Sequence, residues 1–379
     1  MKLEITVSKN ELLSKLKAVS KVINPSNKFI QAHGFFLFEL SEEFNVTGAD
    51  ESGNITATIE CMGCNEETTI KLLVESKTLL EGLKELPEQP LNLVFESTGN
   101  RFDFTVFHQS GKYKIQSMDA DGFSVIKNDV LPKLVNILSV DLMHGIKSVY
   151  QFAGTDDLRP IMSTVHIQSN KGKYSFCAAT GATLSLIEFM KDPTPNEFAD
   201  FELVLPIKVA KILTEISVKA GMVSLEIGEK NVGINFGEFR IIYRLVEGSY
   251  PNFRSVIPLG NDKKLIVNTS DMISALRRTS VFANKASSLV MLNASKSNLK
   301  LTCKDVDYDQ LADENLPVTF NEDNFTIGFA TSHLLKCLES INTEELKMTF
   351  SDPTRACLIS PDDVNLGLLI LIMPLQINV

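Results

Sequence analysis

The chain has 379 residues, 44% hydrophobic and 22% charged, with a formal net charge of −10; that length exceeds a single hydrophobic core and implies two or three domains, and the composition excludes a disordered chain. No run approaches the roughly 20 apolar residues of a bilayer span. The longest, Leu366 to Leu375, ends in Pro374, and the N-terminus lacks a signal peptide's apolar core, so a cytoplasmic protein is expected.

In chain order, an alternating opening strand leads to Ser8-Lys-Asn-Glu11, which has capping-box spacing, and Leu12, Leu13, Leu16 and Val19 follow at helical intervals. Phe35 to Leu40 is strand-like. Ile55 to Ile59 and Thr68 to Leu73 read as two strands of a hairpin, which places Cys61 and Cys64 in a plain connection. A metal or redox role for that pair needs a second ligand pair or a strand-helix setting. The other four cysteines are scattered, which fits reduced thiols rather than a disulfide framework. A second helix over Ser76 to Leu86 leads to a strand at Leu91 to Phe95, and a strand over Ile115 to Met118 runs into the turn Asp119 to Phe123.

The same order then returns twice. Ser139-Val-Asp141 precedes Leu142, Ile146 and Val149; Val165 to Gln168 is a strand; a helix over Pro206 to Ile216, with proline at its opening position, leads to Val223 to Ile227; and Tyr243 to Val246 runs into Glu247 to Pro251. Thr269-Ser270-Asp271 precedes Met272, Ile273, Ala275 and Leu276; Leu289 to Leu292 is a strand; Thr331 to Ile341 leads to Leu346 to Phe350; and Leu369 to Met373 runs into Pro374. The closing strands end at Met118, Val246 and Met373, spaced by 128 and 127 residues. A threefold internal repeat follows. Each third reads as an α+β unit of two helices packed on one face of an antiparallel sheet with about six to eight short strands. The boundaries fall at 1–124, 125–253 and 254–379, where Gly, Pro, Asn and Ser collect.

Net charge taken alone argues against nucleic acid, but its distribution does not. The six helical windows together carry +7 of the chain's −10, which leaves −17 for the rest. One helix of this kind is an ordinary solvated face. Several in a threefold repeat suit a wall that meets phosphates without reading bases. An enzyme is not expected: the five histidines have no metal-ligand spacing, no phosphate-cradling glycine loop or nucleophile elbow occurs, and Asp156-Asp157 reads as a loop or domain-edge cap. No cofactor or metal is expected. The rival reading is a repeat scaffold that binds protein without DNA.

The triple repeat, Asp156-Asp-Leu-Arg-Pro-Ile-Met-Ser163, Glu247-Gly-Ser-Tyr-Pro-Asn-Phe-Arg254 and the ending Ile372-Met-Pro-Leu375 resemble the beta subunit of bacterial replicative DNA polymerase, the beta sliding clamp, over the whole chain. The resemblance implies three domains of the DNA-clamp fold forming half of a six-domain ring, closed as a head-to-tail homodimer around double-stranded DNA. It implies seam residues Tyr113 and Ile115 on the first domain and Met272 and Ile273 on the third. It also implies a pocket for short linear motifs of polymerase subunits and the clamp loader at Met162, Thr180, Ala182, Thr183, Leu184, Pro251, Val256, Leu371, Met373, Pro374 and Leu375. Candidate DNA contacts are Lys9, Lys15, Lys28, Arg159, Lys208, Arg277 and Arg278. Ala179 to Ser185 departs from the family's acidic, small, His, basic pattern; Ser255 replaces a common arginine, and Asn27 to Gln31 lacks the basic-then-proline pattern near DNA.

Overall fold

The computed structural model describes residues 2–23, 34–64, 69–98, 101–156, 158–190, 200–216, 221–363 and 366–377. Among them are six α-helices: α1 (Lys9–Val19), α2 (Ser76–Glu85), α3 (Ser139–Val149), α4 (Ile207–Glu215), α5 (Thr269–Ser280) and α6 (Thr331–Glu339). None is long and apolar enough to cross a membrane.

Local chemistry sets the helix starts. Ser8 Oγ accepts a hydrogen bond from the Glu11 backbone N–H at 3.3 Å, which caps α1, and Leu12, Leu16 and Val19 are fully buried. The Glu75 carboxylate caps α2 by accepting from the N–H groups of Lys77 and Thr78 at 3.0 and 2.7 Å. At α5 the Asn268 side chain caps by accepting from the Asp271 N–H at 3.1 Å. Ser139, the first residue of α3, accepts from the Gly221 N–H at 3.1 Å, while its own N–H donates to the Gly221 carbonyl.

The strands form four antiparallel sheets in two compact units. One unit comprises Met1–Leu142 with Lys208–Leu245, the other Met143–Ile207 with Val246–Val379. The first unit holds a four-stranded sheet in the order Lys2–Ser8, Pro90–Thr98, Arg101–His108, Gly111–Ile115. It also holds a nine-stranded sheet in the order Lys133–Leu138, Met222–Ile227, Asn231–Phe236, Phe239–Arg244, Gly53–Ile59, Phe44–Ala49, Phe35–Leu40, Ile70–Glu75, Ser117–Asp119. The second unit repeats the arrangement. Its nine-stranded sheet runs Phe201–Pro206, Thr164–Asn170, Lys173–Ala179, Thr183–Met190, Leu368–Ile372, Cys357–Pro361, Glu345–Phe350, Lys263–Asn268, Thr319–Phe320, and its four-stranded sheet runs Gln310–Pro317, Asn298–Asp305, Leu289–Ser295, Phe325–Ala330.

Large aromatic side chains fill the cores between these layers. Phe38 contacts Phe44, Phe95 and Phe104 with ring centroids 5.2, 6.3 and 5.4 Å apart, joining the two sheets of the first unit. Phe325 and Phe350, 5.1 Å apart, do the same in the second. Helix α1 packs beside α2, and α5 beside α6.

Two expectations are corrected. The strand expected over Ile115 to Met118 breaks at Gln116, whose carbonyl accepts from the Glu75 N–H at 3.0 Å, so the chain leaves one sheet for the other there. The segments flanking Cys61 and Cys64 are not a hairpin: Gly53–Ile59 and Ile70–Glu75 are separated in the sheet by two other strands.

The repeat recurs in the way strands join. Each third has two three-strand runs, and the last strand of one type of run meets the last strand of the other. Phe239–Arg244 pairs with Gly53–Ile59 in the register Ile241↔Ile55, and Leu368–Ile372 pairs with Thr183–Met190 in the register Leu371↔Leu184. Gly53 is required at the first joint, since a Cβ there would lie 2.0 Å from the Tyr243 ring. The remaining two strands of these types, Gly111–Ile115 and Gln310–Pro317, are open sheet edges.

Candidate functional site

A groove in the second unit is built on the joint between Thr183–Met190 and Leu368–Ile372. Its floor stands on a buried cluster of Cys177, Ala179, Leu184, Leu186, Phe253, Ala356 and Leu371, with Met162 and Tyr250 packed against it. The cavity measures about 200 Å³ and is lined by Met162, Ala179, Thr180, Gly181, Ala182, Thr183, Leu184, Tyr250, Pro251, Asn252, Phe253, Val256, Leu371 and Met373. That volume is below the roughly 300 to 1,000 Å³ of sites that enclose a whole small molecule, and suits one or two apolar side chains of an extended segment. No Lys, Arg, Asp, Glu or His lines it.

The walls are held by polar contacts behind them. Thr180 folds the rim on itself: its N–H donates to the Thr183 carbonyl at 2.7 Å, and its Oγ1 accepts from the N–H groups of Ala182 and Thr183 at 3.2 and 3.0 Å. The Met373 N–H donates to the Ala182 carbonyl at 2.8 Å, which clasps the C-terminal strand end to this rim. Tyr250 stacks on the buried His166 ring at 5.1 Å, and His166 Nε2 is 2.8 Å from Glu202 Oε1. Burial, reinforced by the adjacent Cys177, raises the Tyr250 phenol, so this wall stays neutral. Arg254 lies over the Phe253 ring and donates to Glu188 at 2.5 Å, and Lys173 donates to the same carboxylate at 2.7 Å. Burial alone would raise Glu188; these two cations outweigh it and hold the carboxyl below its ordinary value.

Nine of the eleven pocket residues expected from the sequence line this groove; Pro374 and Leu375 do not. Past Met373 the chain turns away, and the Leu375 N–H donates to the Gly328 carbonyl at 2.8 Å. Ala179, Gly181, Tyr250, Asn252 and Phe253 join the lining. The last three fall inside the Glu247 to Arg254 stretch already singled out.

The expected cations divide into two groups. Lys9 and Lys15 are buried, at 8% and 5% exposure. Lys15 is ion-paired to Glu238, stands 3.7 Å from Glu11 and lies over the Phe239 ring, so it serves the fold and presents no free charge to a phosphate. Lys208 is held by Asp50 and the Val22 carbonyl. Arg159, Arg277 and Arg278 are exposed and paired on the surface with Asp156, Glu339 and Glu314 at 3.0, 2.7 and 2.5 Å. Lys28 lies outside the described residues. Lys17, Lys147 and Lys211 were not among the expected contacts, yet they are exposed on α1, α3 and α4 with no ion-pair partner among the described residues. The repeat is the signal for two of them: Lys17 and Lys147, with Arg277, each stand eight residues after the first residue of α1, α3 and α5, and are spaced by 130 residues, while Lys211 has no counterpart at its position in α2 or α6.

The expected seam residues also divide. Ile115 and Met272 are buried in their own chain at 5% and 0% exposure and act as core; Tyr113 and Ile273 are half-buried. The open edges themselves carry opposite charge. Lys112 and Lys114 are exposed on Gly111–Ile115, whereas Gln310–Pro317 carries Asp313 and Glu314. Hydrogen bonds from Lys300 and Thr302 lower the Asp313 carboxyl, and Arg278 lowers Glu314, so both are ionised at neutral pH. Among the described residues no group of three or more His, Cys, Asp or Glu is placed to hold a metal.

Three family models match in tandem: the N-terminal domain of the DNA polymerase III beta subunit over residues 3–127, its central domain over 137–252 and its C-terminal domain over 254–376. The chain belongs to the DNA polymerase III beta subunit family. Among curated members, the beta sliding clamp of Pseudomonas aeruginosa is 21% identical over 95% of this chain and 96% of its own. Among solved structures, the beta subunit of Thermotoga maritima superposes with a TM-score of 0.88 at 22% identity, covering 99% of this chain and all of the other. A sliding clamp from Pseudomonas aeruginosa bound to griselimycin gives 0.89 at 20% identity over the full length of both. Three clamp-type domains are thereby shared with this family.

Proposed function

We propose that this chain is a DNA sliding clamp: a non-enzymatic, cytoplasmic processivity factor of DNA replication that closes as a head-to-tail homodimer around duplex DNA. Its domains are 1–124, 125–253 and 254–379. The observation that carries the closed assembly is the pair of open edges. Two joints of one kind are made within the chain, and one strand of each kind is left over, Gly111–Ile115 and Gln310–Pro317. The cationic edge of one copy pairs with the anionic edge of the other, which repeats the joint made twice within each chain and, with two copies, leaves neither edge open. Tyr113 and Ile273 are the expected seam residues that remain partly accessible.

Lysines and arginines on the helices, with Lys17, Lys147, Lys211, Arg277 and Arg278 foremost, neutralise backbone phosphates without contacting base edges, so the assembly holds DNA and slides on it. The apolar groove takes anchors from short motifs of polymerase subunits, the clamp loader and repair proteins. Its neutral lining and its methionines favour uncharged anchors of varied outline. The solution mass tests the assembly: sedimentation should give a stable species of twice the 42.0 kDa chain mass. A monomer at micromolar concentration overturns it.

A further inference from the structure

Cys61-Met-Gly-Cys64 takes no part in the groove, the edges or the helix cations. It lies in a crossover that is fastened midway to the first strand of the chain: Met62 and Thr6 exchange two backbone hydrogen bonds of 2.9 Å each. Gly63 has φ +105°, and a Cβ there would stand 2.8 Å from the Glu4 carbonyl oxygen, so this turn demands glycine. The turn brings the two Sγ atoms to 2.8 Å, with both cysteines half-buried, while Cys177, Cys303, Cys337 and Cys357 are buried. An open hollow of about 750 Å³, bordered by Cys61 and the carboxylates Glu11, Glu60 and Glu88, gives small solutes access to Cys61, with Cys64 in contact behind it.

We propose that Cys61 and Cys64 form a reversible thiol–disulfide site that exchanges with low-molecular-weight disulfides, neutral or cationic ones in preference to anionic ones. A sheet-fastened, glycine-specified turn holds the two sulfurs in contact before any reaction, so closing the ring requires little movement of the chain. Burial and the neighbouring sulfur push the Cys61 thiol up to about 12. One of the two cysteines, as its thiolate, attacks one sulfur of the external disulfide, forming a mixed disulfide and releasing one thiolate. The other cysteine then attacks the protein sulfur of that mixed disulfide, gives its proton to solvent and releases the second thiolate. Two protein thiols are oxidised, and one external disulfide is reduced to two thiols. The three glutamates set the preference, repelling an anionic reagent and attracting a cationic one.

The full chain is incubated in cystamine/cysteamine mixtures and, separately, in oxidised/reduced glutathione, and samples taken over time up to equilibrium are denatured, alkylated and weighed. The expected product is lighter than the starting protein by two hydrogens before alkylation. Only four of its six cysteines alkylate, it forms faster with cystamine, and excess cysteamine reverses it. Cys61→Ser should stop at a mixed disulfide on Cys64, and Gly63→Ala, which cannot hold the turn, should accumulate the same adduct. An end state of wild-type protein that keeps a cystamine adduct, leaves both thiols free, or oxidises the buried cysteines first overturns the proposal. So does equal speed with glutathione.

Discussion

Met373→Ala measures how much the groove contributes to partner binding. The substitution deletes three heavy atoms, Cγ, Sδ and Cε, worth about 2.4 kcal/mol if transferred wholly from water at about 0.8 kcal/mol per methylene-sized group. Met373 is 42% exposed in the free chain, so a bound peptide can newly cover only that share. The loss is then about 1 kcal/mol, or roughly a fivefold rise in Kd. Val256 is 57% exposed and loses two methyl groups in Val256→Ala, a similar cost of about 0.9 kcal/mol. If the two act independently, the double variant binds roughly 25-fold more weakly. Leu375→Ala is the control, since Leu375 is 36% exposed yet lies outside the lining and is tied to Gly328; less than about a twofold change is expected. Fluorescence anisotropy with a labelled peptide carrying two apolar anchors reads all four proteins, and thermal melting checks that each is folded. An unchanged Kd for Met373→Ala, or an equal loss for Leu375→Ala, refutes the placement of the groove.

Exchanging Lys112 and Lys114 for Glu makes both open edges anionic; sedimentation should show monomers that keep the folded circular-dichroism spectrum, and a persistent dimer at micromolar concentration contradicts the edge pairing. Each of Lys17→Ala, Lys147→Ala and Lys211→Ala should lower the slope of log binding constant against log salt for duplex DNA by about 1.8, which is about 0.9 for each of the two copies in the ring. Lys15→Met should leave that slope alone and lower the melting temperature, because it abandons the buried pairing with Glu238; a changed slope with unchanged stability would sink that assignment. Glu188 has a folded-state pKa below its ordinary value of 4.5. Its stabilising contribution is therefore complete above that value and is lost as pH falls through the folded value. Acid titration of the melting temperature should lose part of its slope below pH 4.5 in Glu188→Gln, and identical curves would refute the role of the Lys173 and Arg254 contacts.

What the sequence made legible was local. The Ser8 capping oxygen marks α1, 3.6-residue periodicity marks the other helices and alternation marks most strands from their own neighbours, and the threefold return of that order gives the fold. Pairing between distant strands leaves no such mark. Ile55 to Ile59 and Thr68 to Leu73 looked like a hairpin because they are adjacent in the chain, yet two strands from earlier in the sequence lie between them. Gln116 carries no breaker signal; the switch of sheets there is fixed by the Glu75 backbone. Lysine identity alone could not separate Lys15, drawn inward by Glu238 and Phe239, from Lys17, which faces solvent on the same helix. The groove was legible because its residues sit in short, distinctive stretches. Pro374 and Leu375, which do not line it, follow Met373, where a backbone bond from Leu375 to Gly328 directs the tail.

Encirclement is the claim on which the functional account rests, and topology tests it without reference to any one contact. The protein is loaded onto nicked circular duplex DNA and separated from free protein by gel filtration, before and after the circle is cut once with a restriction enzyme. Co-elution with the circle and release on linearisation is the expected result. Equal retention on circular and linear DNA, or on neither, contradicts the account.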